Sequence, residues 1–238
     1  MPYAGLTERT LRYQSGMFER KVWSLAPAAG CPTAAILFLD AELCLERVGA
    51  AAVVWRLQDR RAVPPATAVF LSHGGAAVSH EDSSAAPKYA RFVARDLVGS
   101  VRRSTRRDRD RDRRPEPERP RGRRTRRPAT RPSSGRRYAS RRRSWWERGR
   151  FAQELPPATP AAPEFWISVV SRETEARASH PPSGLRQGLT QVAGCVSAAA
   201  ALRGKGHSVR YREYDGDHDP DCWCDDMSLA LPWIWRRG

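Results

Sequence analysis

One uninterrupted apolar run, Ala34-Ala35-Ile36-Leu37-Phe38-Leu39, constrains this chain more than any other stretch. Six apolar residues without alternation have the length of a strand and the pattern of one covered on both faces, as in a parallel sheet. The run stops at Asp40-Ala41-Glu42, where a loop is expected. Leu43 to Gln58 then keeps apolar residues at helical spacing (Leu45, Val48, Ala52, Trp55), and Pro64-Pro65 forces a loop before the strand-like Thr67-Ala68-Val69-Phe70-Leu71. Strand, helix and strand in that order make the unit of an α/β fold.

Other stretches extend the same architecture. Lys21 to Leu25 alternates as a strand, and Pro27 to Gly30 turns the chain back. Ser72 to Pro87 reads as a polar loop, followed by an amphipathic helix over Tyr89–Val98 with Tyr89, Phe92, Val93 and Leu97 on one side. Phe165 to Val170 is a second buried strand, with Ser171-Arg172-Glu173 opening the loop beyond it. Gln191 to Arg203 is an alanine-rich helix stopped by Gly204-Lys205-Gly206, Ser208 to Tyr214 is the last strand, and Leu229 to Trp235 closes the chain as an apolar helix or cap.

The charge is confined to one place. Residues 101–150 hold 22 of the 42 basic residues and 6 of the 26 acidic ones, which leaves 20 of each elsewhere, so the formal charge of +16 belongs to that segment alone. A run of Arg with Ser, Pro and Gly predicts disorder and loose attraction to polyanions, without a specific nucleic-acid site. Three parts follow: 1–100 and 144–238 as halves of one α/β domain, and 101–143 as a disordered insertion.

The five cysteines, Cys31, Cys44, Cys195, Cys222 and Cys224, are odd in number and unpaired in pattern, which suits a reducing compartment. Cys222-x-Cys224 lacks the second pair or added histidines of a structural zinc site, so neither a metal nor another cofactor is expected. Met1 to Gly16 has no apolar run, and no membrane span is read; the chain is expected to be cytoplasmic. Oligomeric state is not legible.

One turn stands out chemically. Asp215-Gly216 bends the chain at the end of the last strand and delivers His218 on a loop, where an open α/β sheet keeps its chemistry. An imidazole there takes and returns a proton near neutrality, although a lone histidine also serves as a surface or capping residue.

Gly216-Asp217-His218-Asp219, with Cys222-Trp223 beyond, resembles the end of the enterochelin (enterobactin) esterases, α/β-hydrolases whose catalytic histidine lies in a Gly-Gly-His-Asp turn followed by Cys-Trp. The resemblance continues in Leu39-Asp40-Ala41-Glu42, where Ala41 replaces a family glycine, in Pro64-Pro65, in His80-Glu81, and in Trp145-Trp146. It implies a doubly wound, mostly parallel sheet with His218 as general base and Glu173 as the acid that orients it. It also implies a backbone N–H from the Asp40-Ala41 loop in the oxyanion hole, and His80, Glu81, Trp145 and Trp146 bordering the substrate pocket.

The family's Gly-x-Ser-x-Gly elbow is absent from the chain. Arg114-Pro115-Glu116-Pro117-Glu118-Arg119 can be encoded so that the reading frame one nucleotide later spells Gly-Gln-Ser-Leu-Ser-Gly, with the nucleophile at the place of Glu116. Ala139 to Ser144 likewise admits a shifted reading close to the family's strand before Trp-Trp. Arginine enrichment is what GC-rich DNA yields out of frame. Two functions are therefore expected in competition. The first is a serine esterase acting on small ester substrates, ferric catecholate siderophores by family, and inactive as written. The second is a noncatalytic arginine-rich protein that binds nucleic acid or acidic partners.

Overall fold

The computed structural model describes residues 5–12, 19–75, 89, 92–101, 103, 137–140, 156–160, 162–175, 179–180, 185–186, 188–216 and 219–236. The chain is mixed α/β. Strands β1 (Leu6–Arg12), β2 (Glu19–Leu25), β3 (Ala34–Leu39) and β4 (Ala66–Leu71) form a sheet in the order β1-β2-β4-β3. β3 and β4 run parallel, Ala34 opposite Ala66 and Leu39 opposite Leu71, while β2 is antiparallel to both β4 and β1. A second sheet of three parallel strands joins β5 (Arg137–Ser140), β6 (Phe165–Val170) and β9 (Val209–Tyr214). The two-residue strands β7 (Ser179–His180) and β8 (Leu185–Arg186) pair as a separate ladder.

Strand side chains alternate between faces, and both faces of the first sheet are covered. Ile36, Phe38, Ala66, Ala68 and Phe70 face helices α1 (Ala41–Glu46) and α2 (Ala50–Asp59), with Phe38 stacked on Phe70 at 4.7 Å. Val22, Val69 and Leu71 face the other way, onto Phe92, Leu97 and Val101. Phe92–Leu97 is a single π-helical stretch, and its packing with Tyr89 and Val93 matches the expected amphipathic side. In the second sheet Phe165, Ile167 and Val169 meet Cys195, Ala198, Ala199 and Leu202 of helix α3 (Gln191–Gly204). Thr190 caps α3, its Oγ1 accepting from the Ala193 N–H at 3.0 Å.

Helix α4 (Pro220–Arg236) ties the two sheets together. Met227 and Leu231 join the core of the first sheet, while Trp233 packs edge-on against Trp166 of β6. Asp226, fully buried, accepts from Arg212 of β9 at 2.8 Å and from the Ser168 hydroxyl and Trp166 indole of β6. A buried carboxylate needs such partners, because desolvating it uncompensated costs several kcal/mol.

Several expectations require correction. The helix expected over Leu43–Gln58 is two helices: Gly49, at φ 65°, breaks it, and the loop Asp40-Ala41-Glu42 is already the start of α1. The break resets the helical phase. Ala50, Ala51, Val53 and Val54 therefore point inward, and Trp55, assigned to the apolar face, is 49% exposed. The closing helix starts at Pro220, not Leu229; Asp219 Oδ1 accepts from the Asp221 N–H at 3.0 Å, and Pro220 takes the first helical position, where its missing N–H costs nothing. β1 was not expected at all.

The arginine-rich insertion is not disordered throughout. Arg137–Ser140 is a strand paired in parallel with β6, Arg137 opposite Phe165. Backbone ladder bonds are indifferent to side-chain charge, and the edge of a buried strand supplies the partners. At the other end of the insertion, Val101 is buried against the first sheet.

Candidate active site

The parallel strands β3, β4, β6 and β9 release their loops from carboxyl ends, and the expected site residues follow those ends. Glu173 and the turn toward His218 belong to one assembly. The Ser171 N–H donates to the Tyr214 carbonyl at 2.8 Å, the Arg172 N–H to the Gly216 carbonyl at 3.1 Å, and the Glu173 N–H to the Val170 carbonyl at 3.3 Å. Arg172 also reaches both carboxylate oxygens of Asp215 at 3.3 Å. Two loops 43 residues apart in sequence are thereby stitched together. Glu173 is half-buried beside them, its Oε2 shut off from solvent.

Gly216 has a specific structural reason. Its φ is 152°, and a Cβ there would lie 2.8 Å from Cys222 Sγ and 3.2 Å from Val170 Cγ1. The turn can press against β6 and α4 only without a side chain. His218 itself lies outside the described residues, between Gly216 and Asp219, both of which are held as stated. His80, Glu81, Glu116, Trp145 and Trp146 also lie outside them, so their expected roles at the pocket and the nucleophile position remain expectations.

The Asp40-Ala41 loop is described in full. Asp40 has φ 77°, a left-handed conformation uncommon outside glycine but reached more readily by Asp and Asn, and its N–H donates to the Leu71 carbonyl at 3.0 Å. Ala41 is fully buried. Glu42, on the first turn of α1, reaches over to the end of β4. Its Oε1 accepts from the Ser72 hydroxyl and its Oε2 from the His73 N–H at 3.0 Å. Burial by itself pushes the Glu42 carboxyl up, but the bonds from Ser72 and the His73 backbone, with the His73 ring nearby, outweigh it and hold the group below its ordinary 4.5.

Sequence reading missed Ser72 and His73. The His73 ring places Nε2 3.7 Å from Glu42 Oε2 and 3.9 Å from Asp40 Oδ1, while Nδ1 accepts the Gly75 N–H at 2.7 Å. Among the described residues these three are the group close enough to share a cation. The Gly75 bond nevertheless places the ring proton on Nε2, so the imidazole meets the carboxylates as a donor and not as a metal ligand. Cys222 and Cys224 are free thiols on α4.

No family model matches the chain, and no curated protein does. Solved structures do. The enterochelin esterase of Shigella flexneri superposes with a TM-score of 0.71 at 15% identity over 100% of this chain and 60% of its own. The ferric enterobactin esterase of Salmonella typhimurium gives 0.65 at 15% identity, over 100% and 60%. A ferulic acid esterase gives 0.60 at 11% identity, with 97% of this chain and 98% of the other covered. The chain thus spans about 60% of the length of the enterochelin esterase structures it matches. Their fold is its fold, which agrees with the resemblance carried by the sequence motifs.

Proposed function

We propose that this chain carries the scaffold of a serine esterase of the enterochelin esterase type, with the α/β-hydrolase order of parts, and that as written it lacks the nucleophile. The observation that supports this most is the stitching of the β6 and β9 loops. It holds Glu173 beside the turn that leads into His218, as an acid that orients a general base requires. One of the superposed Shigella flexneri structures was determined in the presence of enterobactin, which supports the substrate class that the resemblance implies, a ferric catecholate siderophore.

The mechanism assigned to the frame-corrected chain follows. The restored serine, at the place of Glu116, attacks the ester carbonyl as its hydroxyl proton passes to His218. The oxyanion is met by the backbone N–H after the serine and by that of Ala41. His218 then returns the proton to the leaving alkoxide, and water repeats the cycle to free the acid. Glu173 holds the imidazolium, and His80, Glu81, Trp145 and Trp146 border the ester. The chain would act in the cytoplasm without a cofactor; among the described residues no helix is long and apolar enough to cross a membrane.

The test is the gene itself. Sequencing across codons 100 to 145 distinguishes an elbow in a displaced frame from a true arginine-rich coding segment. The frame-corrected protein should then cut ferric enterobactin or a related triscatecholate ester, with products followed by chromatography. A corrected, folded protein that leaves siderophore and simple aryl esters intact would overturn the proposal. The competing reading, an arginine-rich binding protein, draws only on the charge of residues 101–150.

A further inference from the structure

His73 makes two contacts that cannot both survive its protonation. A backbone amide nitrogen only donates, so the 2.7 Å contact from Gly75 N–H places a lone pair on Nδ1 and, in the neutral ring, the proton on Nε2. A second proton, taken from solvent by this partly exposed side chain, has only Nδ1 to occupy, where the Gly75 N–H already points. Two N–H groups facing each other at that distance repel, and the Gly75 hydrogen bond must open. The same proton strengthens the other side of the ring, where Glu42 Oε2 and Asp40 Oδ1 stand 3.7 and 3.9 Å from Nε2. Glu42 is held in its ionised form by Ser72 and by the His73 backbone, so its charge is in place when the ring acquires its own.

We propose that His73 is a protonation-dependent latch on the turn 73–75: neutral, it holds the turn closed through Gly75; charged, it releases Gly75 and binds to Asp40 and Glu42. The surrounding groups fit. Gly74 and Gly75, at φ 71° and 101°, lack the side chains that would resist a change of turn. The Gly74 N–H is anchored on Ser72 Oγ at 3.0 Å, which confines the opening to the residue beyond it. On the β2 side, Lys21 gives its carbonyl to the Ser72 N–H and directs its ammonium to Glu8 at 3.1 Å, away from the ring. The described charged groups that face the imidazole are therefore the two carboxylates. Because Asp40 precedes Ala41, charging the ring would also tighten the turn assigned to the oxyanion hole. That consequence rests on the esterase reading; the latch does not.

The experiment uses the full chain, labelled with ¹⁵N, titrated from about pH 8 to about pH 5, the range in which histidine changes charge. The His73 ring nitrogens and the Gly75 amide are followed together, without any ester substrate. At the upper end the ring should be the Nε2–H tautomer. On acidification the Gly75 amide should shift with the same midpoint as the ring, and its exchange, corrected for intrinsic rate, should speed up about tenfold as the bond is lost. In His73→Gln the Gly75 transition should vanish. A Gly75 amide that does not respond while the ring titrates, or a ring protonated on Nδ1 at the upper end, overturns the proposal. Both readouts come from the unmutated protein, so a variant that fails to fold does not spare it.

Discussion

The Arg172 N–H donates to the carbonyl of Gly216 at 3.1 Å, which makes the end of β6 and the end of β9 a single structural unit. Glu173 follows the donor and Asp217-His218 follows the acceptor. A disturbance at either partner should therefore be felt at the acid and at the base of the proposed triad together.

Gly216→Ala tests that unit. The added methyl meets Cys222 Sγ at 2.8 Å and Val170 Cγ1 at 3.2 Å in a backbone conformation that alanine avoids. The expected cost is about 1–3 kcal/mol in a urea titration. Adding Cys222→Ala should recover only part of it, since the conformational strain at φ 152° stays. Full recovery would mean that crowding alone sets the residue.

The Arg212–Asp226 pair should be worth more than a surface ion pair, because Asp226 is fully buried. Arg212→Met removes the guanidinium that stands 2.8 Å from that carboxylate and keeps the Ser168 and Trp166 donors. A loss of about 2–4 kcal/mol is expected by denaturant unfolding. A loss under about 0.5 kcal/mol would show that the pair adds little to the partners that remain.

Acid should weaken the link between α1 and the end of β4. The Glu42 carboxyl is held below its ordinary 4.5, so its stabilising contribution is complete above that value and is lost as pH falls through the lower, folded-state value. Unfolding free energies of the native chain and Glu42→Gln should differ clearly at about pH 5 and above. Below that they should converge. Curves that stay parallel under acid would rule the linkage out.

As written, the chain should show almost no esterase activity, on the order of a million-fold below its frame-corrected form, since a carboxylate at Glu116 cannot replace a positioned hydroxyl. In the corrected protein His218→Ala should abolish most turnover, and Glu173→Ala should cost less because it orients without reacting. Activity should rise with pH as the imidazole loses its proton. Robust aryl-ester hydrolysis by the uncorrected chain, abolished by His218→Ala, would refute the assignment of the nucleophile.

Nucleic acid should bind the uncorrected chain weakly and without sequence preference, through the excess arginine of residues 101–150. Affinity measured by fluorescence anisotropy should fall steeply between low and moderate salt. A salt-resistant, sequence-selective complex would favour the binding-protein reading instead.

Where a stretch meets the same environment on every side, its identity was legible in the chain. Phe165–Val170 is apolar but for Ser168 and buried throughout, and Gln191–Arg203 needs only its alanines and the glycines after it to be a helix. His218 was legible from the Asp215-Gly216 turn at the end of the last strand, and Glu173 only through the resemblance to the enterochelin esterases. What tertiary structure decided is whatever depends on partners distant in sequence. β1 exists because its backbone pairs with β2, although its own residues are mostly exposed. Arg137–Ser140 became a strand because β6 offers it a hydrogen-bonding edge, against everything its charge suggests. The Glu42–His73 link and the Arg212–Asp226 pair join residues 31 and 14 positions apart. No local pattern encodes such contacts, since each depends on the path of two backbones and on which side chains that path removes from water.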